Sequence, residues 1–271
     1  MKRLLRHVLI AAGVLVGGGT LLAAGLVAAL PVIAESMPLE LSRTVLTDGK
    51  RQVEMQGMAH LGEPRFYKEI ADLVAERRAA GWLVFYEEVR PDIDDPKAGL
   101  ADVLNRLGAE WNPSDSRHPY EIMGGLLGDD LMLQNNREML GPPGPDVRNV
   151  DVTLSQLLAS LPPESEGAGK DIDLSEIRRL FDEAPGWVQS RIRAAIRIAL
   201  SVSSSGDLAR DQLPPALTTQ REELVVKAIL DEPDRNILVL YGQAHISGFR
   251  RKLDAANPDW RLVSENTIRA F

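Results

Sequence analysis

Hydrophobic positions fall into two regimes along the chain, one near each end, with a less regular stretch between them. In "RQVEMQGMAH", Val53 and Met55 alternate with polar residues at period two, the signature of a strand with one face buried. "EPRFYKEIADLVAERRAAG" has helical spacing, with Pro64 suited to a first turn and Gly81 to a stop. "WLVFYEEV", Trp82 to Val89, is a continuous apolar run that turns acidic at its end. Such runs suit a strand covered on both faces, as in a parallel sheet. The opening therefore reads strand, helix, strand.

The last part repeats that order. "TTQREELVVKAILDEP" is helical, "NILVLYG" (Asn236 to Gly242) is an apolar strand, "ISGFRRKLDAANP" is helical and "WRLVSEN" closes as a strand. Between the two ends, "AGLADVLNRLG" and "EIMGGLLGDDLMLQNNREML" have helical spacing, and "GPPGPD" (Gly141 to Asp146) is a firm break. "RNVDV" fits a short strand and "TLSQLLASL" a helix capped near Thr153 or Asp151. "PPESEGAGKD" fits a loop, "DLSEIRRLFDEA" a helix led by Ser175, and "GWVQSRIRAAIRIALSVSSS" a long amphipathic helix. The pattern predicts an α/β fold in residues 51–271, with a central, mostly parallel sheet flanked by helices and a helical insert at about 98–215. Residues 35–50 read as a polar linker.

The N-terminal end is of another kind. "MKRLLRH" precedes an uncharged apolar run from Val8 to Ala34. About 20 apolar residues suffice to span a bilayer as a helix, and a signal-peptide core is shorter than this run. Residues 1–34 therefore read as one N-terminal transmembrane helix, with a cleaved signal peptide as the alternative. The basic start stays cytoplasmic, so lipid contacts fall in residues 8–34 and the domain lies outside a cytoplasmic membrane, in the periplasm or beyond. Gly13 and Gly17 form a GxxxG, which small-residue abundance alone explains.

Composition narrows the chemistry. The 271-residue chain has no cysteine, which excludes disulfides, thiolate nucleophiles and Cys-based zinc sites. Residues 1–34 carry Lys2, Arg3 and Arg6 and no acid, so of the net charge of −8 the remaining chain carries −11. An acidic body argues against a nucleic-acid partner. There is no P-loop, no GxGxxG after the first strand, no G-x-S-x-G elbow and no HExxH.

Two of the four histidines share a setting: Gly57-Met58-Ala59-His60 and Gly242-Gln243-Ala244-His245 each end an apolar run. Ligands of open α/β sheets bind at the C-terminal ends of the strands. His60, His245 and Glu87, the last at the end of "WLVFYEEV", all fall there. Two imidazoles and a carboxylate suit a divalent metal such as zinc or manganese, which can activate a bound water. Glu87 is then either a third ligand or the general base. The glycine three residues before each histidine suits a tight backbone turn. A histidine after a strand is also a common structural residue, and His118 and His7 read as surface residues.

"GMAHLGEPRFYKEIADLV", "WLVFYEEV" and "ILVLYGQAHISGFRRKL" together resemble the TraB/GumN/Tiki superfamily, which is related in fold to the erythromycin-esterase and ChaN-like proteins. The resemblance covers residues 51–90 and 218–266 well and the middle loosely. It implies an α/β core, membrane attachment or export, and metal-dependent hydrolysis, peptide or protein substrates included. On the matching positions it implies His60, Glu87 and His245 as the metal and catalytic set, with manganese, cobalt or zinc as the ion. It adds Arg221 to the catalytic residues and places Gln134 in the cleft. The ChaN-like relatives bind haem, so the resemblance also admits a non-catalytic ligand-binding or regulatory membrane protein.

Overall fold

The computed structural model describes residues 27–163, 172–203, 210 and 213–271. The expected transmembrane segment lies mostly in residues 1–26, outside the described residues. Residues 27–36 are helical, and among the described residues no helix is long and apolar enough to cross a membrane. The described N-terminal half contains β1 (Glu40–Thr47), β2 (Gln52–Met58), β3 (Leu61–Gly62), α1 (Pro64–Ala79), β4 (Leu83–Tyr86), α2 (Pro96–Arg106), β5 (Ala109–Glu110) and α3 (Pro119–Leu127). Then follow β6 (Met132–Leu133), α4 (Asn136–Leu140), β7 (Val147–Asn149), α5 (Leu154–Ser160), β8 (Ile172–Asp173), α6 (Leu174–Glu183) and α7 (Gly186–Ser203). The chain closes with α8 (Pro215–Leu230), β9 (Ile237–Gly242), α9 (Gln243–Ala256) and β10 (Arg261–Arg269).

Six strands form the central sheet in the order β10-β1-β2-β9-β4-β7. The β2, β9, β4 and β7 strands are parallel, and β1 runs antiparallel to both β2 and β10. The sheet is therefore the expected mixed α/β architecture with a mostly parallel centre. The continuous apolar strands are explained by burial on both faces. In β9, Leu238 and Leu240 pack with Phe66, Ile70 and Val74 of α1. Ile237, Val239 and Tyr241 pack on the other side with Val225 and Ile229 of α8 and Phe249 and Leu253 of α9. Each such buried aliphatic or aromatic side chain contributes on the order of 1.5–3 kcal/mol.

The structure departs from the sequence pattern in five places. Residues 40–47, overlapping the stretch read as a linker, form β1 between β10 and β2, with Leu41 buried in the core on one face of the sheet and Leu46 in the core on the other. The run 121–140 is broken rather than one helix: α3 ends at Gly128, whose φ of +147° an L side chain rarely adopts, and α4 starts only at Asn136. The cap of α6 is Asp173, not Ser175; its carboxylate accepts from the Ser175 and Glu176 amides. The helical insert is interrupted, since β7 pairs with β4 and belongs to the main sheet. Finally, α9 begins at Gln243 without an intervening loop, so His245 sits in its first turn. Thr153 is the cap of α5, with Gln156 completing a capping box. The loop expected at 162–171 falls largely outside the described residues.

Candidate functional site

The two Gly-x-Ala-His motifs are neighbours because β2 and β9 are adjacent and parallel, with Gly57 paired to Tyr241 and Met58 to Gly242. Their glycines serve close approach rather than tight turns, since neither has a positive φ. The Gln243 side chain reaches across β2, and its Oε1 accepts from the Ser42 amide (2.8 Å) and hydroxyl (3.0 Å). A Cβ on Gly57 would lie 1.9 Å from that oxygen. A Cβ on Gly242 would lie 3.1 Å from Glu87 Oε2. The second motif thus locks onto the first through its own glutamine.

All four expected site residues, and Gln134, line one cleft of about 1510 Å³ at the C-terminal ends of the parallel strands. Glu87 leaves β4 just past Tyr86 and is held from two sides. Its Oε1 accepts from Arg221 Nη2 at 2.5 Å, and its Oε2 accepts from the Gly242 amide. Arg221, on α8, also donates from Nε (2.8 Å) and Nη2 (2.7 Å) to Asp151. Tyr241 Oη donates to Asp151 at 2.9 Å. One arginine therefore carries two carboxylates, an arrangement that is costly to bury and strongly destabilised if one member is lost.

The histidines flank this pair. The His60 ring is exposed to solvent within the cleft, stacked on Tyr120 with centroids 4.4 Å apart. Its backbone is clamped: the Gln134 amide donates to His60 O at 2.9 Å and Tyr67 Oη to Ala59 O at 2.8 Å. His245 is 3% exposed, edge-on to Tyr241 and stacked on Phe249. Its Nδ1 is buried without a hydrogen-bond partner and lies 3.8 Å from Oε1 of the buried Glu222. Glu222 in turn accepts from Arg210 and fits against α9 only because residue 248 is glycine. His118 caps α3 and lines the same cleft; His7 lies outside the described residues.

The electrostatics follow from these neighbours. Removal from bulk water favours neutral imidazole, and it lowers both His60 and His245 against the opposing pull of Glu87. Burial alone would raise Glu87, but Arg221 and then the two histidines outweigh it and hold the carboxyl below its ordinary value. Desolvation pushes the Tyr120 phenol up to about 12, so it stays protonated at neutral pH. The cleft therefore presents neutral imidazoles, an anionic Glu87 and a fixed guanidinium.

Asp151, Tyr120, Tyr241 and Glu222 went unread in the sequence as site residues. Asp151 had a legible signal: it follows β7, the fourth parallel strand, and so reaches the same sheet edge. Tyr120 and Glu222 had none, because only the packing of α3 and α8 brings them to the histidines.

The expected donors are not assembled around a common point for a divalent ion in this arrangement. Among the described residues, no group of three or more His, Asp or Glu side chains converges as a metal would require. Each oxygen of Glu87 is already engaged, one of them by a cation. No step below is routed through a metal. Comparison of the chain with known protein families, with curated proteins and with solved structures found no match.

Proposed function

We propose that the cleft is the active site of a hydrolase acting on peptide or protein substrates, attached to the cytoplasmic membrane by the N-terminal segment with its domain outside. The observation that carries this reading is the convergence of His60, Glu87, Arg221 and His245 on one cavity from separate parts of the chain. Neutral His60, open to the cavity, suits the removal of a proton from a water that attacks the peptide carbonyl, and the return of that proton to the nitrogen as the C–N bond breaks. The guanidinium of Arg221 supplies positive charge where a carbonyl oxygen would become anionic. Glu87 and Asp151 fix that guanidinium, and Glu87 offsets positive charge arising on His60. Metal dependence, which the family resemblance implies, would require Glu87 to leave Arg221 or share its oxygens.

A second reading is a ligand-binding or regulatory protein of the same fold, binding haem or a metal. It is favoured by the aliphatic wall of the cleft, where Leu100, Leu104, Leu154 and Leu217 face the cavity. One experiment separates the two. The purified full chain is incubated with a peptide library, with chelator or with added manganese, cobalt or zinc. Cleavage that falls at least about 100-fold in Glu87→Gln, with the fold retained by circular dichroism, supports the hydrolase. Undiminished cleavage in that variant, or a Soret band on haem addition with no cleavage, contradicts it.

A further inference from the structure

The route by which the chain enters its domain fixes how the cleft is oriented. The apolar run ends at Ala34, and β1 begins at Glu40. Because β1 runs antiparallel to β2, Arg43 pairs with Gln56 near the end of β2, while Thr47 pairs with Gln52 at its start. The chain thus joins the sheet at the edge where the parallel strands end, which is the edge that carries the cleft.

Contacts hold the entry point there. Leu39 exchanges backbone hydrogen bonds with the C-terminal residues: its amide donates to Phe271 O (3.0 Å), and the Ala270 amide donates to its carbonyl (2.7 Å). The Glu63 amide donates to Ala270 O at 2.7 Å, just past the first motif. Ser201 Oγ on α7 donates to Met37 O at 2.8 Å. Ser42, three positions beyond Leu39, holds Gln243 of the second motif. From Ala34 to Leu39 even a fully extended chain spans no more than about 18 Å. The opposite edge, with the β1–β2 turn and Asp234 before β9, lies a strand length of roughly 23 Å farther away.

We infer that the cleft-bearing edge of the sheet faces the membrane, and that the substrate is a polypeptide lying at or emerging from the bilayer surface. This rests on the membrane-anchored hydrolase reading. The tether is too short and too firmly held at Leu39 for the domain to turn its cleft outward. The aliphatic wall, with Leu107 (37% exposed) and Leu213 (36% exposed) near its margin, offers apolar contact to the hydrophobic end of a segment that leaves the bilayer.

The absence of cysteine makes the test direct, since a single thiol can be introduced at will. Full chain carrying Glu138→Cys, exposed on the cleft rim, or Asp234→Cys, exposed at the opposite edge, is labelled with a donor dye. Each is reconstituted into phosphatidylcholine vesicles that contain an acceptor-labelled lipid. Energy transfer should be several-fold stronger from position 138 than from position 234. A peptide carried on a lipid anchor in the same vesicles should be cut several-fold faster than the same peptide free in solution. Equal or reversed transfer, with the chain still in the vesicle pellet, overturns the orientation alone. Equal cutting of the two peptides overturns the substrate class. A chain absent from the pellet overturns the anchor and this inference together, and cleavage of neither peptide, with the expected transfer, overturns the hydrolase reading and with it the substrate class, while the orientation stands.

Discussion

At the scale of single residues, the site is organised by one guanidinium. Arg221 pairs with Glu87 and Asp151 at once, which leaves the three groups with one net negative charge, and the histidines sit around that cluster. Its consequence for pH is calculable in sign. In the folded chain His60 and His245 lie below their ordinary value of 6.5, so the unfolded chain binds more protons as the pH falls through that value. Their contribution to stability is fully present above 6.5 and declines below it. Glu87, held below its ordinary 4.5, adds a second decline as the pH falls through that value. Urea unfolding at successive pH values should therefore show stability falling steadily on the acid side. Stability constant from pH 7 to about 4 would contradict the lowered proton affinity of these groups in the folded chain.

At the scale of elements, the two motif strands act as one unit because Gln243 is threaded over Gly57. A methyl group there would meet Gln243 Oε1 at 1.9 Å, so Gly57→Ala should displace the glutamine and break its bonds to Ser42. The expected cost is about 1–3 kcal/mol by denaturant unfolding, and a change under about 0.5 kcal/mol would contradict the threading. These elements also mark what the sequence made legible. Apolar runs such as 237–242 and the amphipathic helices carried their periodicity openly, and both GxxH motifs fell at strand ends as the spacing required. Strand β1 was hidden because its buried positions, Leu41, Thr44 and Leu46, do not alternate at period two and are interleaved with polar residues. The break at Gly128 was hidden because apolar spacing continues across it. The Glu87–Arg221–Asp151 network is a product of tertiary packing between β4, β7 and α8, which no local pattern encodes.

At the scale of the whole molecule, the order β2-β9-β4-β7 brings residues near 60, 87, 151 and 242 to one edge, and β1 returns the N-terminal segment to that same edge. Cleft and tether are therefore consequences of a single topology. The central claim is that His60 and His245 serve one site despite their separation in sequence. A double-mutant cycle on peptide cleavage by His60→Ala and His245→Ala tests it most directly. The account predicts that the double variant loses little more activity than the worse single variant. Losses that multiply, as for two independent sites, would contradict it.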